Sequence, residues 1–289
     1  INNKSYYIMD YISNNSKIIA CDIGASNCDP TPHIDNLLKN TNSKLYGFEP
    51  NKIEFEKLIS ENKDKKREFF NYAIGDGEEK LFNICEYPGW SSFLEADIDY
   101  VKNFHRFELD AVIKEKIKIK TKKLDEIKFE SKLDYLKIDV QGLESEIIEC
   151  SKDTIKNCLV VELELSPIPL YKKEKRFSYV CKQMEDLKFN LNMFQKINTK
   201  TFKPVILGGS SLNGLHTLIQ LDCVFVPSYE TINKLKSEDL KKLINIMHYS
   251  YHSYDFADFL IRLLEKKENI KIVEKYRDDV AKLKILKKY

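Results

Sequence analysis

Apolar residues in the first 227 positions gather into short runs: "KIIACDI" (17–23), "KLYGFE" (44–49), "EFFNYAI" (68–74), "LDYLKID" (133–139), "CLVVELEL" (158–165), "FNLNMFQKI" (189–197) and "IQLDCVFVP" (219–227). Between most of them lie amphipathic stretches, and that alternation predicts a doubly wound α/β sheet, mostly parallel, of about seven strands. The first, second, fourth and fifth runs are continuously apolar, as parallel strands covered on both faces require. Each ends in an acid or a turn, and ligands of open α/β sheets bind at those carboxyl ends. From about Ser228 the pattern changes to helical spacing, for example Leu240, Leu243, Ile244 and Met247. The expected division is a sheet domain over 1–227 and a helical extension over 228–289. The apolar stripe of that extension either packs on the sheet or joins copies of the chain into a homo-oligomer. Lys114 to Lys123 alternates as a strand with one wet face does, and "CEYPGWSSFLEADIDYVKNFHRF" is too long for a plain connection and is expected to form a lid.

Composition narrows the function class. Lys and Arg number 47 against 45 Asp and Glu, a net charge of +2 spread over helices of mixed sign, so no basic field for nucleic acid is expected. The 7 cysteines include no C-x-x-C pair and lie mostly in apolar segments, as reduced core thiols do, which points away from disulfides and zinc. No apolar run reaches the roughly 18 residues of a membrane span, and "INNKSYYIMDYI" lacks the uninterrupted core of a signal peptide. A soluble cytoplasmic protein is expected. The chain opens on Ile1 rather than Met, as a trimmed chain or a piece of something longer would.

The first strand runs into "ACDIGASNC". Dinucleotide folds place G-x-G-x-x-G here so that a pyrophosphate can approach the backbone. This turn has Gly24 alone, with Cys28 where another glycine could serve. S-adenosylmethionine carries no phosphate and suits the turn better. Asp22 can accept from its ammonium, directly or through water, and Glu49, ending the second strand, can take both ribose hydroxyls. Such a cofactor supplies a methyl group, and transfer to an acceptor as weakly nucleophilic as an alcohol needs a base near that methyl. Asp139, closing the fourth strand, is the leading candidate, with helix capping or orientation of the methionine end as its other readings. Glu164, ending the fifth strand, is base, acceptor ligand or, with Asp139, half of a cation site; two carboxylates alone do not argue for a metal, and none is expected. His105 beside Arg106 in the lid is a further base or a surface histidine, His33 follows the cofactor turn, and Glu144 sits in a first helical turn. Trp90, with Ser91 and Ser92, offers a flat face and hydroxyls to a sugar or packs on the sheet edge. Arg106, with Lys172 and Lys173, can meet a phosphate.

In sequence order, "CDIGAS", "LYGFEPN", "NYAIGD", "TKKLDEI", "LDYLKIDVQGLESEII" and "VVELELSPIPLYKKE" resemble the FkbM-type S-adenosylmethionine-dependent methyltransferases over roughly residues 17 to 226. The resemblance implies a Rossmann-like class I sheet and a hydroxyl-modifying activity on sugars or secondary metabolites, here a small-molecule or carbohydrate acceptor of surface polysaccharide synthesis. It adds Gly24, Ala25, Ser26, Pro50, Asn51, Ala73, Ile74 and Asp139 to the cofactor set, and Tyr171 to the acceptor set. The family's first motif reads G-A-N-x-G, whereas this chain has Ser26, Asn27 and Cys28 after Ala25. That departure leaves a catalytically inactive binding relative as a rival reading, with an NAD-dependent oxidoreductase as the third.

Overall fold

The structure, a computed structural model, describes residue 12, residues 17–26 and residues 30–282. The readings made for Asn27, Cys28, the amino-terminal stretch and the end of the tail lie outside the described residues. Nine strands are present among them: β1 (Ile18–Ile23), β2 (Ser43–Phe48), β3 (Arg67–Phe70), β4 (Glu79–Cys85), β5 (Ile113–Lys120), β6 (Tyr135–Ile138), β7 (Val160–Leu165), β8 (Phe189–Lys200) and β9 (Thr217–Pro227). Seven form one sheet in the order β3-β2-β1-β6-β7-β9-β8. Each of the seven apolar runs supplies one of its strands. β9 alone runs against the rest of that sheet, pairing antiparallel with both β7 and β8. The chain walks outward from β1 to β2 and β3, then returns to place β6 beside β1. The β1/β6 boundary is therefore the switch point, where the connections leave β1 and β6 in opposite directions and a crevice opens above their carboxyl ends.

β4 and β5 make a separate antiparallel pair. β5 is the strand read from Lys114 to Lys123: Ile113, Ile117 and Ile119 are half-buried while its lysines are exposed. β4 was not foreseen, because "EKLFNIC" shows no clean alternation: Phe82, Asn83 and Cys85 are buried, Leu81 is exposed, and the pairing with β5 is a contact that periodicity does not show.

Helices cover both faces of the main sheet. Alternate β1 residues separate them by the period-two rule. Ile18 and Ala20 pack with Ile34 and Leu37 of α1 (Pro32–Asn40) and with the tail, whereas Ile19, Cys21 and Ile23 face the other core. α2 (Lys52–Glu61) follows β2, with Asn51 as N-cap accepting from the amides of Ile53 and Glu54. Two short helices, α3 (Ile98–Val101) and α4 (Phe107–Asp110), lie in the expected lid. That stretch is a packed cap with its own core, where Trp90, Val101, Phe104 and Phe107 meet Leu170, Tyr171 and Ile219. On the second face, Ile147 and Ile148 of α5 (Glu144–Cys150), Ile155 of α6 (Lys152–Ile155) and Val180 and Met184 of α7 (Phe177–Asp186) are buried together.

The tail forms α8 (Tyr229–Lys234), α9 (Ser237–Tyr249), α10 (Tyr254–Glu268) and α11 (Val273–Lys282). Leu240, Leu243, Ile244 and Met247 of α9 are fully buried in the same core as Ile18, Leu45 and Val224. Lys242 adds an ion pair of 3.0 Å to Asp134, whose carboxylate also accepts from the Ile19 amide. No described helix is long and apolar enough to cross a membrane.

Candidate active site

The single glycine of the first turn is required by the protein's own backbone. Gly24 has φ +88°, and a Cβ there would lie 1.8 Å from the carbonyl oxygen of Asp139. The turn after β1 thus crosses directly onto the end of β6, and the Asp139 amide donates to the Ile23 carbonyl at 2.9 Å. Any side chain would part the two strand ends.

Above this crossing lies a cleft of about 650 Å³. Of the expected cofactor residues, Gly24, Ser26, Glu49, Pro50, Asn51, Ala73, Ile74 and Asp139 line it, while Asp22 and Ala25 are buried beneath the turn. Asp139, Glu164 and His105 all line it, as do Trp90, Ser91 and Arg106; Ser92 and Tyr171 stand behind its wall. The structure thus brings both expected sets of residues to one opening.

Glu49 closes β2 with its carboxyl almost buried, and one oxygen accepts from the Asn51 amide at 2.6 Å. Burial, with the nearby charges of Glu54, Asp22 and Asp139, pushes its pKa up to about 8 against the pull of that amide. A buried acid of this kind is stabilised as an anion when hydroxyl donors arrive.

Across the switch point, three side chains form a bridge. The Gln141 amide nitrogen donates to Asp139 Oδ1 and to Glu164 Oε2, both at 2.8 Å, and the Gln220 amide donates to the same Glu164 oxygen at 2.7 Å. Gln141 is itself held by its left-handed backbone, φ 57°, and by the Tyr171 hydroxyl, which donates to its Oε1 at 3.0 Å. Ser92 donates to the Gln141 carbonyl at 2.8 Å. Ser92 and Tyr171, expected at the acceptor, therefore hold the residue that orients the two carboxyls.

Burial raises both carboxyls, and their neighbours separate them. Lys137 Nζ lies 3.0 Å from Asp139 Oδ2, and this charge and hydrogen bond outweigh burial, holding Asp139 below the usual carboxylate range. Glu164 has no such partner at its side, so burial and the Asp139 charge drive it well above that range. The two carboxyls are thus pushed in opposite directions, as two adjacent buried acids are when only one of them has a cation at its side.

Of the remaining candidates, His105 and Trp90 lie at the cleft and the others away from it. His33, in the first turn of α1, lies 3.1 Å from Glu162 and stacks on Tyr251 at 5.8 Å between ring centroids. Burial lowers His33, but the Glu162 charge raises it further; burial raises Glu162, but His33 brings it to about 2. The pair is ionic and buried. Glu144 accepts from the amides of Val140 and Gly142 at 3.1 and 3.2 Å, bracing the turn. His105 Nε2 lies 3.0 Å from the Val205 carbonyl oxygen at the mouth. Trp90 packs on Phe107 and Tyr171, lines the cleft and is 9% exposed. Lys172 pairs with Glu95 at 3.5 Å, and neither it nor Lys173 lines the cleft; Lys196 and Lys200 of β8 do.

Gln141, Gln220 and Lys137 were missed. For Lys137 the signal was present, since a lysine inside a buried strand must have an anionic neighbour. Gln141 lies inside "LKIDVQGLE", but which side chain crosses to β7 is decided by the turn's left-handed backbone. Gln220 carries no local signal.

Residues 22–191, more than half of the chain, match the family described as "Methyltransferase FkbM domain". No curated protein matches the sequence. Among solved structures, the methyltransferase FkbM from Methylobacillus flagellatus KT is similar at 11% identity and a TM-score of 0.38, over 76% of this chain and 47% of that one. The chain thus spans about half the length of that relative.

Proposed function

The chain belongs to the FkbM methyltransferase family, and on that premise we propose that it transfers a methyl group from S-adenosylmethionine to a hydroxyl of a small polyhydroxylated acceptor, a sugar or sugar nucleotide. The observation that carries the reading is the continuity of one cleft from Glu49 to the Asp139–Gln141–Glu164 bridge. The residues fit the cofactor. Glu49 is a buried acid whose ionised form suits a ribose diol, while Asp22 lies beneath the turn with Oδ1 3.8 Å from the Lys137 ammonium and acts on the methionine end through the charge it places there.

When bound, S-adenosylmethionine supplies an electrophilic methyl on a sulfonium. Glu49 holds the ribose, and Asn51 fixes the Glu49 carboxylate through its amide while capping α2. Asp139, drawn toward its ionised form by Lys137, would take the proton of the acceptor hydroxyl as the C–O bond forms and the sulfur–methyl bond breaks to leave a thioether. Gln141 sets the direction of that carboxylate. Glu164, pushed up by burial and by the Asp139 charge, stands beside Asp139 and would help to hold the acceptor. Trp90, Phe93 and Tyr87 on the cap side give the flat apolar walls that a sugar face packs on, and they exclude water from the transfer.

Calorimetric titration with S-adenosylhomocysteine and with NAD tests the reading. Saturable binding of the first alone is expected. Binding of NAD in its place overturns the cofactor assignment, and binding of neither supports the inactive relative.

A further inference from the structure

We propose that the acceptor carries a phosphoryl group, and that Lys200 and Arg106 hold it at the β8 end of the cleft while its hydroxyl lies at Asp139. The proposal rests on the reading above for the reaction but not for the anion site itself. The cleft is polarised: Glu49, Asp139 and Glu164 stand over the ends of β2, β6 and β7 with Glu54 of α2 beside them, whereas Lys196 and Lys200 come from β8 and Arg106 and His105 from the cap, which adds one acid, Asp110. Lys200 is the residue that lacks a counter-ion. Its ammonium donates to the Leu212 carbonyl at 3.0 Å and lies 5.6 Å from the centroid of the Phe107 ring, and among the described residues no carboxylate is within ion-pair distance of it. Half-buried, with the Asp110 carboxylate near but shared with Arg106, it has no ion pair of its own, and burial lowers its pKa against the pull of Asp110.

The sequence around it agrees. No acidic residue occurs between Asp186 and Asp222, while Lys188, Lys196, Lys200 and Lys203 do, in a chain of 45 acidic residues. β8 and the segment after it therefore present to the cleft a wall from which acids are missing. Arg106 is exposed, and its partner Asp110 at 3.1 Å leaves further guanidinium N–H groups free to donate. Phosphate oxygens between a lysine and an arginine, next to aromatic walls, suit either a nucleoside-diphosphate sugar or a phosphorylated glycan.

Trp90, the only tryptophan, packs 4.9 Å from the Phe107 ring over which Lys200 lies, so its fluorescence reports occupancy of this end. With S-adenosylhomocysteine saturating, the protein is titrated with pyrophosphate, uridine diphosphate and glucose 1-phosphate, and with uridine and glucose as uncharged counterparts. At least one phosphoryl probe is expected to bind about tenfold or more tighter than its counterpart, with a preference between the nucleotide and the sugar phosphate distinguishing the two sources. Lys200→Met abolishes that margin and Lys200→Arg keeps it, both variants binding S-adenosylhomocysteine as the parent does, which shows that they fold. Equal binding of charged and uncharged probes, no saturable response to any phosphoryl probe up to about 10 mM, or an unchanged margin in Lys200→Met overturns the proposal. Phosphoryl binding through Lys200 without S-adenosylhomocysteine binding overturns the cofactor reading instead and leaves the anion site standing.

Discussion

Two carboxylates at the site answer to opposite surroundings, and each makes a separate prediction. Glu49 is held near a pKa of about 8 by burial and by the acids around it. If its anion takes the ribose, the free protein must release a proton to bind below that pH. Affinity for S-adenosylhomocysteine then rises about tenfold per pH unit up to about 8 and levels off above it, with proton uptake by buffer visible as a buffer-dependent calorimetric enthalpy. Glu49→Gln removes the pH dependence, and Glu49→Ala raises Kd by about 10- to 100-fold. Asp139 lies on the other side of the ordinary range, drawn down by Lys137 against burial. Asp139→Asn is expected to slow single-turnover methyl transfer by about 10²- to 10⁴-fold while cofactor affinity changes little. In the parent, the acid limb of the single-turnover rate falls below the usual carboxylate pKa, because protonating Asp139 there means breaking its pair with a buried lysine. An unchanged rate in the variant moves the base elsewhere.

At the scale of the element, the turn after β1 and the turn after β6 behave as one unit. Gly24 and Asp139 are in backbone contact, and Gln141 and Glu144 hold the second turn through hydrogen bonds to β7 and to the turn amides. Gly24→Ala combines an unfavourable left-handed backbone with a clash against a carbonyl that cannot rotate away. It should cost on the order of 3 kcal/mol or more, and the thermal midpoint should fall by roughly 5–10 °C. A variant as stable as the parent would show that the turn yields. The strands of the main sheet were readable because each is an apolar run bounded by turn residues. β4 was not, since a half-covered strand at the margin acquires its apolar neighbours only from β5 and the cap.

For the whole molecule, the decisive feature is that the helical tail and the sheet share one core. Leu243 is fully buried among residues of β1, β2, β9 and α1, and Tyr251 donates at 2.6 Å to Glu162 in the middle of the sheet. Glu162 in turn pairs with His33 in the first turn of α1, so the tail, the sheet centre and the helix after the cofactor turn meet at one buried carboxylate. Leu243→Ala is expected to lower stability by about 2–5 kcal/mol. Trp90 fluorescence, from the cap, should follow the same unfolding transition as far-ultraviolet dichroism, in which the tail helices contribute strongly. A Trp90 transition that stays at the parent's position would mean that the tail unfolds independently of the sheet.

The order of apolar runs, the period-two character of β5 and the helical spacing after Ser228 were sufficient for the fold class, because each depends on residues near one another in sequence. The same holds for Glu49, Asp139 and Glu164 as strand-end acids, since a strand's carboxyl end is a local property. What the tertiary structure alone decided is how those acids differ. Asp139 is drawn down by Lys137, which stands beside it on β6, while burial and the charges of Asp139 and Asp222 push Glu164 up. Ser92 and Tyr171 stand behind the wall, and Lys200 replaces Lys172 and Lys173 at the cleft. Charge state, and which side of a wall a side chain faces, are set by groups far apart along the chain, and periodicity carries no information about them.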